Sequence, residues 1–280
     1  MPQHKSKKKT PSSPGILLVG AGRMGSALLG GWIANSLGPV AVVETAPSRS
    51  LRKFAKANGV TIHKDVPTTD TRALKACVVA LKPQILKTEA ARLADIAQSG
   101  ALMLSIAAGT STASLQKVWG KGARIIRAMP NTPGAIGRGI SALYAGKNAR
   151  PSDCKLAQAL LAALGETVWV AHEDMIDIVT AVSGSGPAYV FLLVEALAMA
   201  AEAEGLPRTL AEKLARATIA GSGALLNADP REPAQLRRDV TSPHGTTEAA
   251  LDILMAQDGL VQLVIRAVAA ARARAVALRA

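Results

Sequence analysis

From Ile16 onward, short runs of β-branched and aliphatic residues alternate with segments whose apolar positions recur at helical spacing. Buried parallel strands read as unbroken hydrophobic runs, so this alternation predicts a parallel sheet covered by helices on both faces. The runs place strands at Ile16 to Gly20, Val40 to Glu44, Val60 to Ile62, Ala76 to Ala80, Leu102 to Ile106, Arg124 to Ala128, Ile140 to Tyr144 and Glu166 to Val170. Between them, helices are predicted at Met24 to Ser36, Pro47 to Asn58 and Asp153 to Leu164. After Glu173 the strand-like runs stop, and helical periodicity carries on through Asp174 to Val182, Pro187 to Gly205, Arg208 to Leu226, Pro233 to Arg238, Thr246 to Ala256 and Leu260 to Leu278. The expected fold class is α/β: an N-terminal domain of sheet and helices over residues 15–172, then an all-α helical domain over 173–280.

The later helices carry more apolar surface, Met199 and Leu225 included, than so small a bundle can bury alone. A homodimer through this half is therefore expected. Hydrophobic residues make up 49% of the chain and aromatics only 2%, so the core must be built from Ala, Leu, Val and Ile. The aromatic platforms of most single-strand nucleic-acid binders are missing.

Net charge is +13, and part of it resides in Lys5, Lys7, Lys8 and Lys9 of a leader, residues 1–14, that reads as a disordered basic tail. The rest is scattered, with a cluster at Arg266, Arg272, Arg274 and Arg279, and no nucleic-acid reading motif accompanies it. Cys77 and Cys154 form neither a metal spacing nor a disulfide framework, which points to a reducing cytoplasm. The longest apolar run, Pro187 to Ala201, is broken by Glu195 and reads as a buried helix too short to span a bilayer, so no membrane partner is expected. His4, His63, His172 and His244 are scattered, which argues against a Ser-His-Asp hydrolase and against a metal site.

The motif GAGRMG, Gly20 to Gly25, follows a hydrophobic strand and opens a helix, the context of a dinucleotide fingerprint. Gly20 allows the tight turn, Gly22 lets backbone approach a pyrophosphate, and Gly25 permits close packing of helix on strand. Glu44 lies where an acidic side chain would bond the adenine-ribose hydroxyls of NAD, whereas Arg49 could pair with an extra phosphate, so NADH and NADPH both stay open. ALKP, Ala80 to Pro83, and IAAGT, Ile106 to Thr110, each end a strand, where ligands of open α/β sheets bind. Lys82 there is a cofactor contact or a surface lysine; Ala107 and Ala108 are small enough for close backbone approach. In MPNTPG, Asn131 and Thr132 can bond a nicotinamide carboxamide or a neighbouring loop, and SGSGPAY, Ser183 to Tyr189, suits a ligand or a tight helix crossing.

The segment DVTSPHGTTEAAL, Asp239 to Leu251, gathers amides and hydroxyls where a helix begins, with Thr246 or Thr247 able to cap it and Glu248 in its first turn. An anion held at such a terminus needs no lysine or arginine. A hydride donor with no clear general base suits a substrate needing little proton handling, such as an imine.

Read together, GAGRMG, ALKP, IAAG, RAMPNTP, AVSGSGPAY and DVTSPHGTTEAAL resemble the pyrroline-5-carboxylate reductase family, over a stretch from about Ile16 to the last helix. The resemblance implies hydride transfer from NADPH or NADH to the C=N carbon of L-1-pyrroline-5-carboxylate, giving L-proline. It also implies an N-terminal Rossmann-type NAD(P)-binding domain and a C-terminal helical dimerisation domain through which dimers interlock, often assembled into larger rings such as a decamer. Carried over by position, the substrate site falls on Val240, Ser242, Gly245, Thr246 and Thr247, with Glu173 near the entrance to the helical domain. Thr247 would be the catalytic residue, its hydroxyl on the ring nitrogen while the amides of Gly245 to Thr247 hold the carboxylate. The cofactor would meet Gly20, Gly22, Arg23, Met24, Gly25, Glu44, Ala80, Lys82, Pro83, Ala107, Ala108 and Asp239. Two positions depart from the pattern: His244 stands where the family has the first glycine of PGGTT, and Asp239 where some members carry asparagine. The alternatives are another Rossmann reductase, acting on a 3-hydroxy acid or a different cyclic imine, and a catalytically silent nucleotide sensor. Hydroxy-acid enzymes of that kind use a lysine in the first helical segment, and Asp174 to Val182 has none.

Overall fold

The structure is a computed structural model that describes residues 15–67 and 73–279. The lysine-rich leader therefore lies outside the described residues. Among them the strands are β1 (Ile16–Val19), β2 (Val40–Val43), β3 (Thr61–His63), β4 (Ala76–Val79), β5 (Leu102–Ser105), β6 (Arg124–Met129), β7 (Gly139–Ala145) and β8 (Gly165–Trp169). They form one sheet in the order β3-β2-β1-β4-β5-β6-β7-β8. The first six follow the doubly wound dinucleotide-binding order, with its switch point between β1 and β4.

The expected all-parallel sheet needs one correction: β7 runs antiparallel to β6. A 3-10 turn at Thr132–Ile136 folds the chain straight back, leaving no room for the crossover helix that a parallel neighbour requires. Several predicted strands also end a residue late. The amides of Gly20, Ala80 and Ile106 still join the ladder, bonding the carbonyls of Val43, Val19 and Val79 at 2.8–3.0 Å, but the chain then turns away as loop.

Side-chain alternation builds two cores. Leu18, Val42, Val78 and Leu104 face one helical layer, and Leu17, Ala41, Cys77 and Met103 face the other. Each layer holds one tryptophan whose ring nitrogen finds a backbone carbonyl: Trp32 donates to Leu160 O at 2.7 Å and Trp119 to Ala90 O at 2.8 Å. Two of the few aromatics thus go to the deepest positions, each with its one polar atom satisfied. Burial pushes the Cys77 thiol up to about 12, so it serves as a small hydrophobe.

The helices over this sheet are α1 (Arg23–Ala34), α2 (Arg49–Asn58), α3 (Pro83–Glu89), α4 (Ala94–Gln98), α5 (Thr112–Trp119), α6 (Pro151–Leu161) and α7 (Met175–Val179). A π-helix at Thr180–Gly184 follows, then α8 (Gly186–Ala203), α9 (Arg208–Ala228), α10 (Pro233–Asp239), α11 (Thr246–Leu254) and α12 (Leu260–Ala277). The chain divides into two compact units, one running to Gly184 and taking in the segment from Arg274 on, the other Ser185–Ala273. Ile176 and Asp177 of α7 are fully buried, and α7 belongs to the first of these units. The apolar run around Pro187 is also longer than expected: Met175–Ala203 is long and apolar enough to cross a membrane by length and composition, and only 17% of its most apolar window is buried. The reading of this segment as a buried helix is thereby corrected, since Phe191, Leu192 and Met199 are exposed.

Candidate active site

The glycine loop sits at the switch point, and its three glycines answer to different constraints. A Cβ on Gly20, whose φ is +91°, would lie 2.9 Å from the carbonyl oxygen of Ala80, and one on Gly25 would lie 2.2 Å from that of Gly20. A Cβ on Gly22 would meet no protein atom within 4 Å. Gly22 is the N-cap of α1, with no side-chain cap and no acidic residue in the first turn. An uncapped helix start facing open space suits a pyrophosphate, so the residues present fit a dinucleotide.

Two cavities flank this loop. One, of about 370 Å³, is lined by Gly20, Gly22, Glu44, Thr45, Lys64 and Lys82 among others, and lies at the ends of β1, β2 and β4. The other, of about 330 Å³, is lined by Arg23, Met24, Lys82, Pro83, Ala107 and Ala108, and reaches Met129, Asn131, Thr132 and Gly184. The structure thus gathers the predicted cofactor residues Gly20, Gly22, Arg23, Met24, Glu44, Ala80, Lys82, Pro83, Ala107 and Ala108 around two neighbouring cavities. Gly25 sits beneath them as packing. Lys82 lines both and is the N-cap residue of α3, ahead of Pro83 in its first turn.

Several of these residues also have partners within the protein. The Glu44 carboxylate accepts the amide of Ala21 at 2.9 Å and that of Ala46 at 3.2 Å, which ties the end of β2 to the glycine loop. Asn131 Oδ1 accepts the amide of Ile140 at 3.0 Å, the neighbouring-loop role. A Cβ on Gly184 would lie 2.5 Å from Met129 Cε, the flexible end of that side chain, so Gly184 packs against Met129 where both border the second cavity.

Glu173 braces the chain around it. Its carboxylate accepts both the amide and the hydroxyl of Thr112 at 2.7 Å, and Arg127 Nη1 at 3.2 Å. Arg127 is fully buried within β6 and also donates to Asp177 at 3.3 Å. Arg279 pairs with the other carboxylate oxygen of Asp177. This network fixes the start of α5, just beyond the IAAGT loop that lines the second cavity. The sequence analysis did not assign Arg127 a role, although a charged residue between Ile126 and Ala128 of a hydrophobic strand is the signal that marks it.

The Asp239 to Leu251 segment lies in the other unit. Gly245, not Thr246 or Thr247, is the N-cap of α11, and no side chain caps it. The amide of Gly245 is spent on Ser242 O at 3.1 Å, closing a turn with Pro243 and His244 at its centre. His244 adopts φ 60°, the left-handed conformation a glycine takes freely, so the departure from the family pattern keeps the expected backbone shape. Its amide donates to Glu248 Oε2 at 2.6 Å and its side chain is 99% exposed. Thr246 and Thr247 open the helix, in the first turn where amides have no intrahelical partner. Val240 is exposed, while the Asp239 carboxylate accepts Arg231 at 2.7 Å and Gln235 at 2.6 Å.

Comparisons with known proteins agree on one family. Residues 173–278 match the family described as pyrroline-5-carboxylate reductase dimerisation, and residues 15–109 match NADP oxidoreductase, coenzyme F420-dependent. A pyrroline-5-carboxylate reductase of Pseudomonas aeruginosa is 39% identical over 270 residues, covering 95% of this chain and 97% of the relative. Among solved structures, a pyrroline-5-carboxylate reductase from Coxiella burnetii matches with TM-score 0.85 and 36% identity over 96% of this chain and all of its own. A pyrroline carboxylate reductase from Plasmodium falciparum with NADP bound matches with TM-score 0.79 and 28% identity, over 95% and 98% of the two chains.

Proposed function

The chain belongs to the pyrroline-5-carboxylate reductase family, and we propose how its residues divide the work of that reaction. It is an NAD(P)H-dependent oxidoreductase that reduces the C=N bond of L-1-pyrroline-5-carboxylate to give L-proline, in proline biosynthesis. NAD(P)H, when bound, supplies the hydride. Residues 15–172 hold the cofactor and residues 173–280 the imino acid and the subunit contact. Gly22 and the first turn of α1 receive the pyrophosphate, with Arg23 and Met24 beside it; Lys82, Pro83, Ala107 and Ala108 border the nicotinamide end.

The substrate loop is Val240 to Thr247, and the observation that carries it is the uncapped start of α11. The amides of Thr246 and Thr247 take the substrate carboxylate, and the Thr247 hydroxyl bonds the ring nitrogen, keeping it protonated and electrophilic at the adjacent carbon. Ser242 supplies the carbonyl that shapes the turn. Positioning is the main catalytic contribution, and well-oriented groups can supply about 7–11 kcal/mol of barrier reduction. Glu173 and Asp239, both bound to neighbouring side chains, support their loops rather than touching the imino acid or the cofactor.

A homodimer through the helical unit, assembled into a larger ring such as a decamer, covers the exposed Phe191, Leu192, Met199 and Ile253. That cover, rather than a bilayer, is what the exposed face of Met175–Ala203 calls for. Two free thiols, one buried and one partly so, fit a cytoplasmic setting. Thr247→Ala tests the site: kcat/KM for pyrroline-5-carboxylate should fall at least ten-fold, roughly the 1.4 kcal/mol of one charge-assisted hydrogen bond, with cofactor affinity unchanged. Undiminished turnover would remove Thr247 from the mechanism.

A further inference from the structure

We propose that Glu44 makes this chain select NADH over NADPH, an inference that rests on the reductase reading above. The residue stands just past β2, where the adenine ribose of a dinucleotide lies in a doubly wound sheet. An acidic residue there bonds ribose hydroxyls, but only a carboxylate that stays in place can also exclude a 2′-phosphate. In this chain both oxygens are held, one by the amide of Ala21 in the glycine loop and the other by the amide of Ala46. Each oxygen keeps a lone pair for a ribose hydroxyl. To admit a phosphate carrying about −1.5 to −2 charge, the side chain would have to leave both amides or meet the phosphate at close range.

The basic residues nearby do not undo this. Arg92 lines the same cavity but is committed to Glu89 at 2.7 Å and Asp65 at 2.6 Å. Among the described residues the lining includes Glu44 and Thr45 but not Arg49. Ser48, which could otherwise offer its hydroxyl at the start of α2, accepts the amide of Leu51 at 3.1 Å as N-cap. Lys64 is the one lining cation placed next to the β2 end, after β3, and it provides the competing arrangement.

Equilibrium titration of NADH and of NADPH, followed by nicotinamide fluorescence without substrate, tests the proposal in the wild-type protein, Glu44→Ala, Glu44→Gln and Lys64→Ala. Wild type should bind NADH at least ten-fold more tightly than NADPH. Glu44→Ala should reduce that ratio below about three-fold by strengthening NADPH. Glu44→Gln, which keeps an acceptor for one amide and loses only the charge, should do the same with an unchanged circular dichroism spectrum. Lys64→Ala should leave the ratio as it is. Equal or tighter NADPH binding by wild type, lost on Lys64→Ala, would overturn the proposal while leaving the reductase reading intact. Binding of neither dinucleotide would overturn both.

Discussion

Two alanine substitutions one turn apart in the same motif should part company. At Gly25 a new Cβ would sit 2.2 Å from the carbonyl oxygen of Gly20, about 1 Å inside van der Waals contact. The oxygen is backbone and a Cβ has no torsion by which to move aside, so α1 must retreat from the loop. Overpacking of this kind costs about 1–3 kcal/mol, and a displacement near 1 Å at a positioned site costs on the order of a hundred-fold in rate. At Gly22 a Cβ meets no protein atom within 4 Å, and φ is −65°, a value every L-residue adopts. Alanine is a poorer N-cap than glycine but restricts the unfolded chain, and the two effects largely offset within about 0.5 kcal/mol. The empty space at Gly22 is the space the pyrophosphate needs. Gly22→Ala should therefore unfold in urea like the wild type yet lose at least ten-fold in NAD(P)H affinity, while Gly25→Ala loses both stability and affinity. Normal dinucleotide binding by a folded Gly22→Ala would refute the assignment of the cofactor to this loop.

Two further substitutions probe the frame around the sites. Arg127→Met leaves the buried Asp177 and the partly buried Glu173 with one partner fewer, and breaking such a pair costs about 3–5 kcal/mol. The retained contacts to Arg279 and Thr112 put the expected loss near 3 kcal/mol in a denaturant titration, and a loss under about 1 kcal/mol would mean the cluster is not structural. His244→Gly removes a left-handed non-glycine residue that costs about 1–2 kcal/mol and adds glycine's unfolded-state entropy of about 0.5–1 kcal/mol. A net gain of roughly 0.5–1 kcal/mol is expected from the same titration; a clear loss would show that the histidine side chain holds the turn in place.

The sheet was legible because its strands are continuous hydrophobic runs punctuated by glycine, and Leu17 and Leu18 needed only the period of two to be sent to opposite faces. The reversal of β7 was not, since local pattern carries strand existence but not direction. Its cause is a short turn at Thr132–Ile136 whose length becomes clear only in three dimensions. In the sites, the places where backbone must turn or approach closely were legible from glycine and proline, as the loop at Gly20 to Gly25 and the turn at Gly245 show. Which protein groups the acidic side chains would hold was not. Glu44, Glu173 and Asp239 each satisfy a protein group in the structure, because a carboxylate near an unpaired amide, arginine or hydroxyl binds it in the absence of anything stronger. Arg127 shows the reverse case: its partners Glu173 and Asp177 lie about fifty residues on, beyond the reach of any local pattern.

The central claim is that a hydride passes from the nicotinamide to the imine carbon of pyrroline-5-carboxylate. Reduction with NAD(P)H carrying deuterium at both C4 positions, followed by mass spectrometry of the product, tests it most directly. One deuterium should appear in L-proline, on the ring carbon next to nitrogen that was the imine carbon, and Thr247→Ala should slow its appearance without moving it. Proline free of deuterium, or no proline above a protein-free blank, would contradict the account.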